Sequence, residues 1–250
     1  MKVIVVANQK GGVGKTSLVF HLAHAISEEG GRVMVIDLDP QGNLSWCLRR
    51  RTEEACPAAE IFEREVLEAE PCTERILLVA SNIKLARYEA APGGMRIYFK
   101  LRRALERHRE NPEADYVLID CPPSLGLFSL AALVAGHRVV IPMRTEIFSV
   151  SGLGDLLNVV EEVRESVNPG LEVAGIVMNA VSSRTRVAQS TLEELAELSE
   201  ELSLPVLAVL PATVRLEEAL REGIPVWRLK EAGPMGTRIR KEIGKILNSL

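Results

Sequence analysis

Seven short runs of this chain are apolar at almost every position: residues 3–7, 32–36, 76–80, 116–119, 138–143, 171–178 and 205–210. A strand with one face in water alternates apolar and polar side chains. A strand that is apolar throughout is covered on both faces, as in parallel sheets with helices packed above and below. Longer amphipathic segments lie between the runs, at 17–29, 96–109, 149–167, 187–202 and 238–250. This alternation predicts an α/β fold, a doubly wound, mostly parallel sheet flanked by helices on both faces. No linker, low-complexity tract or repeat divides the sequence, so residues 1–250 are expected to form one domain. The segment 50–72 is the least periodic and most charged, and is read as an irregular insertion.

The first run leads directly into Gln9-Lys10-Gly11-Gly12-Val13-Gly14-Lys15-Thr16-Ser17, and a helical pattern follows. Strand, glycine-rich loop and helix is the context of a phosphate-binding loop. Glycines let successive backbone N–H groups turn inward around phosphate oxygens, and the helix N-terminus adds positive potential. The expected ligands are the residues Lys10, Gly11, Gly12, Val13, Gly14, Lys15, Thr16 and Ser17, with Lys15 on the β- and γ-phosphates and the Thr16 hydroxyl on Mg²⁺. The usual spacing would place glycine at position 9. Gln9 stands there instead, followed by a second lysine, Lys10.

Two carboxylate motifs follow later strands. Asp37-Leu38-Asp39-Pro40-Gln41-Gly42-Asn43 ends the second run, and aspartates two apart on extended backbone project to the same side. The fourth run ends Tyr116-Val117-Leu118-Ile119-Asp120, before Cys121-Pro122-Pro123-Ser124. An apolar strand ending in aspartate is the form of a Walker B element, in which Asp120 holds Mg²⁺ through water and the prolines stiffen the next segment.

The Lys-Gly-Gly-x-Gly-Lys-Thr loop resembles the deviant P-loop of the ParA/MinD family, and the resemblance is closest to ParA/Soj-type partition ATPases over nearly the whole chain. It implies an ATP- and Mg²⁺-dependent ATPase that forms a homodimer with ATP. Lys10 would then reach the partner subunit's nucleotide, neutralising charge on the transferring phosphoryl group as an arginine finger does. By the same match Asp39 orients the attacking water and Asp37 supports the magnesium site, so Lys10, Lys15 and Asp39 are the catalytic candidates and Thr16, Asp37 and Asp120 the metal candidates. Pro142-x-x-x-Glu146 with Gly152-Leu153, and Gly175 through Arg184-Thr185, resemble further family segments. Leu210-Pro211-Ala212-Thr213-Val214-Arg215-Leu216-Glu217-Glu218-Ala219 is similar to the family's adenine-pocket segment, placing Pro211 and Thr213 against the base.

The family resemblance also implies non-specific double-stranded DNA binding through Arg184 and Arg215, stimulation by a ParB-like DNA-segregation protein, and a cytoplasmic protein that associates with the nucleoid when ATP-bound. Ala212 departs from the pattern, because it stands where the family carries arginine, and Thr213 replaces asparagine. Arg186, Arg221, Lys230, Lys241 and Lys245 could extend a basic rim. Residues 211–250 hold eight Lys/Arg against five Asp/Glu, whereas the whole chain, with 30 against 34, has a net charge of −4. That acidity excludes a constitutive DNA coat but suits a protein that holds DNA only when two small basic rims are brought together by ATP. Residues 96–109 carry six Lys/Arg and one Glu, with Ile97, Leu101 and Leu105 on the side expected to be buried.

At 47% apolar and 26% charged, the chain is an ordinary globular one, and 4% aromatics gives no rows of base-stacking rings. Cys47, Cys56, Cys72 and Cys121 contain no Cys-x-x-Cys pair, and Cys121 reads as a small filler rather than a cluster ligand. His21 and His24 are one helical turn apart without a third ligand, and read as packing. No apolar stretch reaches membrane-spanning length, and no signal peptide is evident. The last segment pairs Ile239, Ile243, Ile246 and Leu247 with basic residues, a pattern that a MinD-like membrane-surface helix shares; a core-packed helix is expected. The alternatives carried are a MinD-like or other cargo-positioning ATPase on a membrane or protein scaffold, and a metabolic relative such as a carboxylate-activating ligase.

Overall fold

The computed structural model describes residues 1–49, 54–89, 94–108, 114–144, 149–181, 197, 199–200 and 203–250, with residues 149–151 as backbone only. The seven apolar runs are seven parallel strands: β1 (Lys2–Val6), β2 (Val33–Asp37), β4 (Ile76–Val79), β5 (Tyr116–Asp120), β6 (Arg138–Arg144), β7 (Glu172–Val181) and β8 (Val206–Pro211). A two-residue antiparallel strand, β3 (Glu70–Pro71), closes one edge, giving the order β3-β4-β2-β5-β1-β6-β7-β8. The strands are apolar on both faces because both faces are covered. Val3, Val5 and Ala7 point into one core layer, and Ile4 and Val6 into the other.

The first layer is completed by α3 (Pro57–Arg64), α4 (Lys100–His108), α5 (Leu127–Ala135) and α6 (Ser149–Ser166). The second is completed by α1 (Lys15–Glu28), α2 (Asn43–Arg49), α7 (Arg215–Glu222) and α8 (Gly233–Ser249). Ile239, Ile243 and Ile246 on α8 are fully or almost fully buried in that layer. At about 1.5–3 kcal/mol for each buried apolar side chain, this face is committed to the core rather than to a membrane surface. Among the described residues no helix is long and apolar enough to cross a membrane.

The structure corrects several sequence expectations. Within the segment expected to be irregular, α3 forms because Ala58, Ala59, Ile61 and Phe62 make an apolar face at helical spacing, and all four are buried. Residues 94–99 are a 3₁₀ turn, and the α-helix begins only at Lys100. The basic residues of that stretch are largely paired: Arg103 and Arg107 bind Glu65 at 2.9 and 2.8 Å, and Arg102 binds Glu106 at 3.0 Å. The last helix starts at Gly233, with proline in its first turn. Most of the helix expected at 187–202 lies outside the described residues.

Between β1 and β2 the chain passes to one side, and β6 lies on the other side of β1. The sheet therefore changes winding direction beside β1, and a crevice opens there at the carboxyl ends of the strands.

Candidate active site at the carboxyl ends of the central strands

The glycine-rich loop turns from β1 into α1 at Gly14, whose φ of 96° is left-handed and disfavours any side chain. Space excludes one as well, since a Cβ there would lie 1.9 Å from Asn179 Nδ2. That amide donates to the carbonyl of Val13 at 2.9 Å, and its oxygen accepts the N–H of Ala180, so the end of β7 pins the loop. Asn8 pins its other end. The Asn8 Nδ2 donates to the Pro142 carbonyl at 2.8 Å, and its oxygen accepts the Lys10 N–H at 2.9 Å. No side chain caps α1, which leaves its first N–H groups without a side-chain acceptor, as an anion site requires.

Lys15 is buried at 7% exposure, and its ammonium donates to the carbonyls of Asn8 and Lys10 at 3.0 and 2.9 Å. Burial lowers its pKa, opposed by the carboxylate of Asp120. Lys10 is half-buried, its stem next to Gly152 at the start of α6. Gly11 approaches Pro123 of the segment after β5.

Asp37 and Asp120 end the adjacent strands β2 and β5 in register, both almost wholly buried. The Thr16 hydroxyl donates to Asp120 Oδ2 at 2.8 Å, whereas Oδ1 is buried with no hydrogen-bond partner. Burial, and then the neighbouring Asp37, raise the Asp120 pKa well above the carboxylate range; Asp37 is pushed up to about 6, mainly by burial. The unpartnered Asp120 oxygen beside the Thr16 hydroxyl offers hard oxygen donors that suit Mg²⁺. Asp37 itself is turned elsewhere. It accepts the Asp39 N–H at Oδ1 and both the N–H and hydroxyl of Ser45 at Oδ2. The half-buried Asp39 accepts the Gln41 N–H at 2.9 Å.

Lys15, Thr16 and Asp39 line a cleft of about 970 Å³, whereas Asp37 and Asp120 are not part of its lining. One wall is the loop from Gly11 to Ser17. The opposite walls are Asp39, Trp46 and Cys47, and the segment from Pro211 to Val214 with Leu216, Leu220 and Arg221. Pro211 and Thr213 thus lie in the same cleft as the phosphate loop, and Ala212 is exposed at its edge. Arg215 is half-buried and paired with Glu218 at 2.5 Å on its own helix, while Arg221 stands at the cleft mouth. Arg184, Arg186 and Glu146 lie outside the described residues. Burial raises the Cys121 pKa and leaves the thiol an inert filler.

Sequence reasoning missed Asn8, Asn179, Ser45, Arg144 and Trp46. Asn8 abuts the loop and Ser45 follows the second aspartate motif closely, so position alone could have flagged both. Asn179 and Arg144 come from β7 and β6 and reach the loop only through the sheet order.

A family model described as an AAA domain matches residues 1–173. The chromosome partitioning protein ParA of Caulobacter vibrioides is 36% identical over 242 residues, covering 93% of this chain and 90% of that protein. The sporulation initiation inhibitor protein Soj of Bacillus subtilis is 34% identical over 232 residues, covering 90% of each. A solved structure of cobyrinic acid a,c-diamide synthase from Mycobacterium smegmatis, with bound ATP analog and magnesium, is 35% identical with a TM-score of 0.76. It covers 89% of this chain and 92% of that one.

Proposed function

Because the chain belongs to the AAA-domain family of ParA/Soj-type partition ATPases, we propose that it is an Mg²⁺-dependent ATPase whose ATP-bound homodimer binds double-stranded DNA without sequence preference. The observation that carries this reading is the constellation of Lys15, Thr16 and Asp120 around an uncapped helix N-terminus, with a second lysine, Lys10, in the same loop.

ATP lies with its triphosphate along residues 11–17 and its base towards Pro211 and Thr213. Lys15 exchanges its two carbonyl partners for phosphate oxygens. Thr16 and Asp120 would hold Mg²⁺, whose charge would offset that of the phosphates. Asp39 orients the water that attacks the γ-phosphorus as the bond to the β–γ bridging oxygen breaks. Lys10 of the partner subunit reaches the same γ-phosphate, so hydrolysis requires the dimer. Asp37 acts one step behind, holding the Asp39 backbone. A ParB-like protein completes this geometry and raises the rate. Arg184 and Arg215 contact DNA phosphates, and the protein works in the cytoplasm, on the nucleoid when ATP-bound.

The likeness to the diamide synthase favours a second reading, in which ATP activates a substrate carboxylate. DNA binding measured with ATP, with ADP and without nucleotide separates the two. The first reading expects binding with ATP alone, lost when Arg184 and Arg215 are mutated together. Equal binding under all three conditions, or none, contradicts it.

A further inference from the structure

Ser45 belongs to none of the motifs that bind nucleotide, yet it is buried at 5% exposure and occupies both sides of its hydrogen-bonding capacity. Its hydroxyl donates to Asp37 Oδ2 at 2.7 Å and its N–H reaches the same oxygen at 2.9 Å. The Ser81 N–H, just beyond the end of β4, donates into the Ser45 hydroxyl oxygen at 2.9 Å. Because Ser81 can only donate there, the Ser45 proton is directed at Asp37. The other Asp37 oxygen, Oδ1, accepts the Asp39 N–H at 3.0 Å. The loop between them is pressed close to β4: Gly42 has a φ of 64°, and a Cβ on it would lie 2.8 Å from the Ser81 carbonyl oxygen.

The order of contacts is therefore Ser81, Ser45, Asp37, Asp39. We propose that Ser45 is a positioning residue for hydrolysis, setting the backbone of Asp39 through Asp37; the inference rests on the ATPase reading above. Asp39 lines the cleft, whereas Ser45 is buried and does not. With Ser45 outside the cleft lining, its influence falls on the chemical step rather than on ATP binding. Without its hydroxyl, a buried carboxylate loses one of three donors and the Ser81 N–H loses its acceptor.

The test compares ATP hydrolysis and ATP affinity in wild type, Ser45→Ala and Ser45→Thr, at a temperature where all are folded by circular dichroism. Loss of a hydrogen bond to a charged group predicts that Ser45→Ala lowers kcat about tenfold to a hundredfold. Its KM and ATP Kd should stay within about threefold, and Ser45→Thr, which restores the hydroxyl, should recover most of the rate. A residue that serves only the fold would lower Tm and leave kcat of the folded fraction unchanged. Ser45→Ala with wild-type kcat, or with ATP affinity falling in step with kcat, overturns the inference and leaves the ATPase reading standing. Wild type without hydrolysis overturns both. If Ser45→Ala does not fold, Ser45→Cys keeps the size with a weak donor, and the same split between kcat and Kd decides.

Discussion

Thr16 and Asp120 meet across 104 positions of sequence, the hydroxyl donating to Oδ2 at 2.8 Å while Oδ1 of the same carboxylate stays buried and unpartnered. An unpaired oxygen in such surroundings is costly. A cation or its bound water removes that cost, and Thr16 is placed to release its hydrogen bond and become a ligand. Thr16→Ala is therefore expected to raise the Mg²⁺ concentration for half-maximal hydrolysis by at least about tenfold, comparable to losing a ligand or its immediate support. Titrating Mg²⁺ against steady-state turnover checks this, and an unchanged midpoint counts against the assignment.

Gly14 and Asn179 make a steric prediction. A methyl group at position 14 meets both the left-handed φ and the Asn179 amide at 1.9 Å. Gly14→Ala should lose on the order of 1–3 kcal/mol of stability, read by urea unfolding, and most ATP binding. Adding Asn179→Ala relieves the clash but not the φ, so the double mutant should recover only part of both.

His21 predicts how stability depends on pH. Its Nδ1–H donates to the Ser17 carbonyl at 2.7 Å and its Nε2 accepts the Val226 N–H at 3.2 Å, a pattern that only the neutral ring can make. Burial lowers the pKa of His21, and that of His24, to about 4. The unfolded chain then binds protons more readily than the folded one between about 6.5 and about 4. Their contribution is complete above about pH 6.5 and is lost as pH falls through that window, on the order of 3 kcal/mol for His21 at ~1.4 kcal/mol per pH unit. Urea midpoints from pH 7 to pH 4 check this, and His21→Gln should flatten the curve.

The proposed DNA contact at Arg215 makes a prediction through its ion pair with Glu218. Paired at 2.5 Å, Arg215 must leave its own carboxylate before it can reach a phosphate. Glu218→Ala should tighten ATP-dependent DNA binding by about two- to fivefold, the value of an exposed ion pair, and Arg215→Ala should weaken it. With roughly six phosphates contacted, affinity should fall on the order of 10³-fold between 50 and 200 mM salt. Fluorescence anisotropy with a labelled duplex measures all three.

How much of this was legible from sequence follows from where each contact originates. The parallel strands were visible because burial on both faces leaves no polar position in runs such as 33–37. The phosphate loop was visible because its chemistry is local. Helix α3 was overlooked because charges in 50–72 masked four apolar positions. The pairing of the basic stretch around Arg103 is not legible in sequence, since its partner Glu65 lies 38 positions away. The hydrogen bonds of Asp37 are not legible in the motif, because Ser45, eight positions on, folds back in the first turn of α2 and donates to its second oxygen.

In the proposed mechanism Lys10 acts on the partner subunit's ATP, so hydrolysis belongs to the dimer. The most direct measurement is turnover per chain as a function of protein concentration, for wild type and Lys10→Ala, with ATP binding measured alongside. Slow wild-type turnover of about 10⁻⁴–10⁻² s⁻¹ is expected without a stimulating partner. That rate should rise with chain concentration and vanish in Lys10→Ala, which should still bind ATP. Turnover that is independent of concentration and unchanged in Lys10→Ala would contradict it.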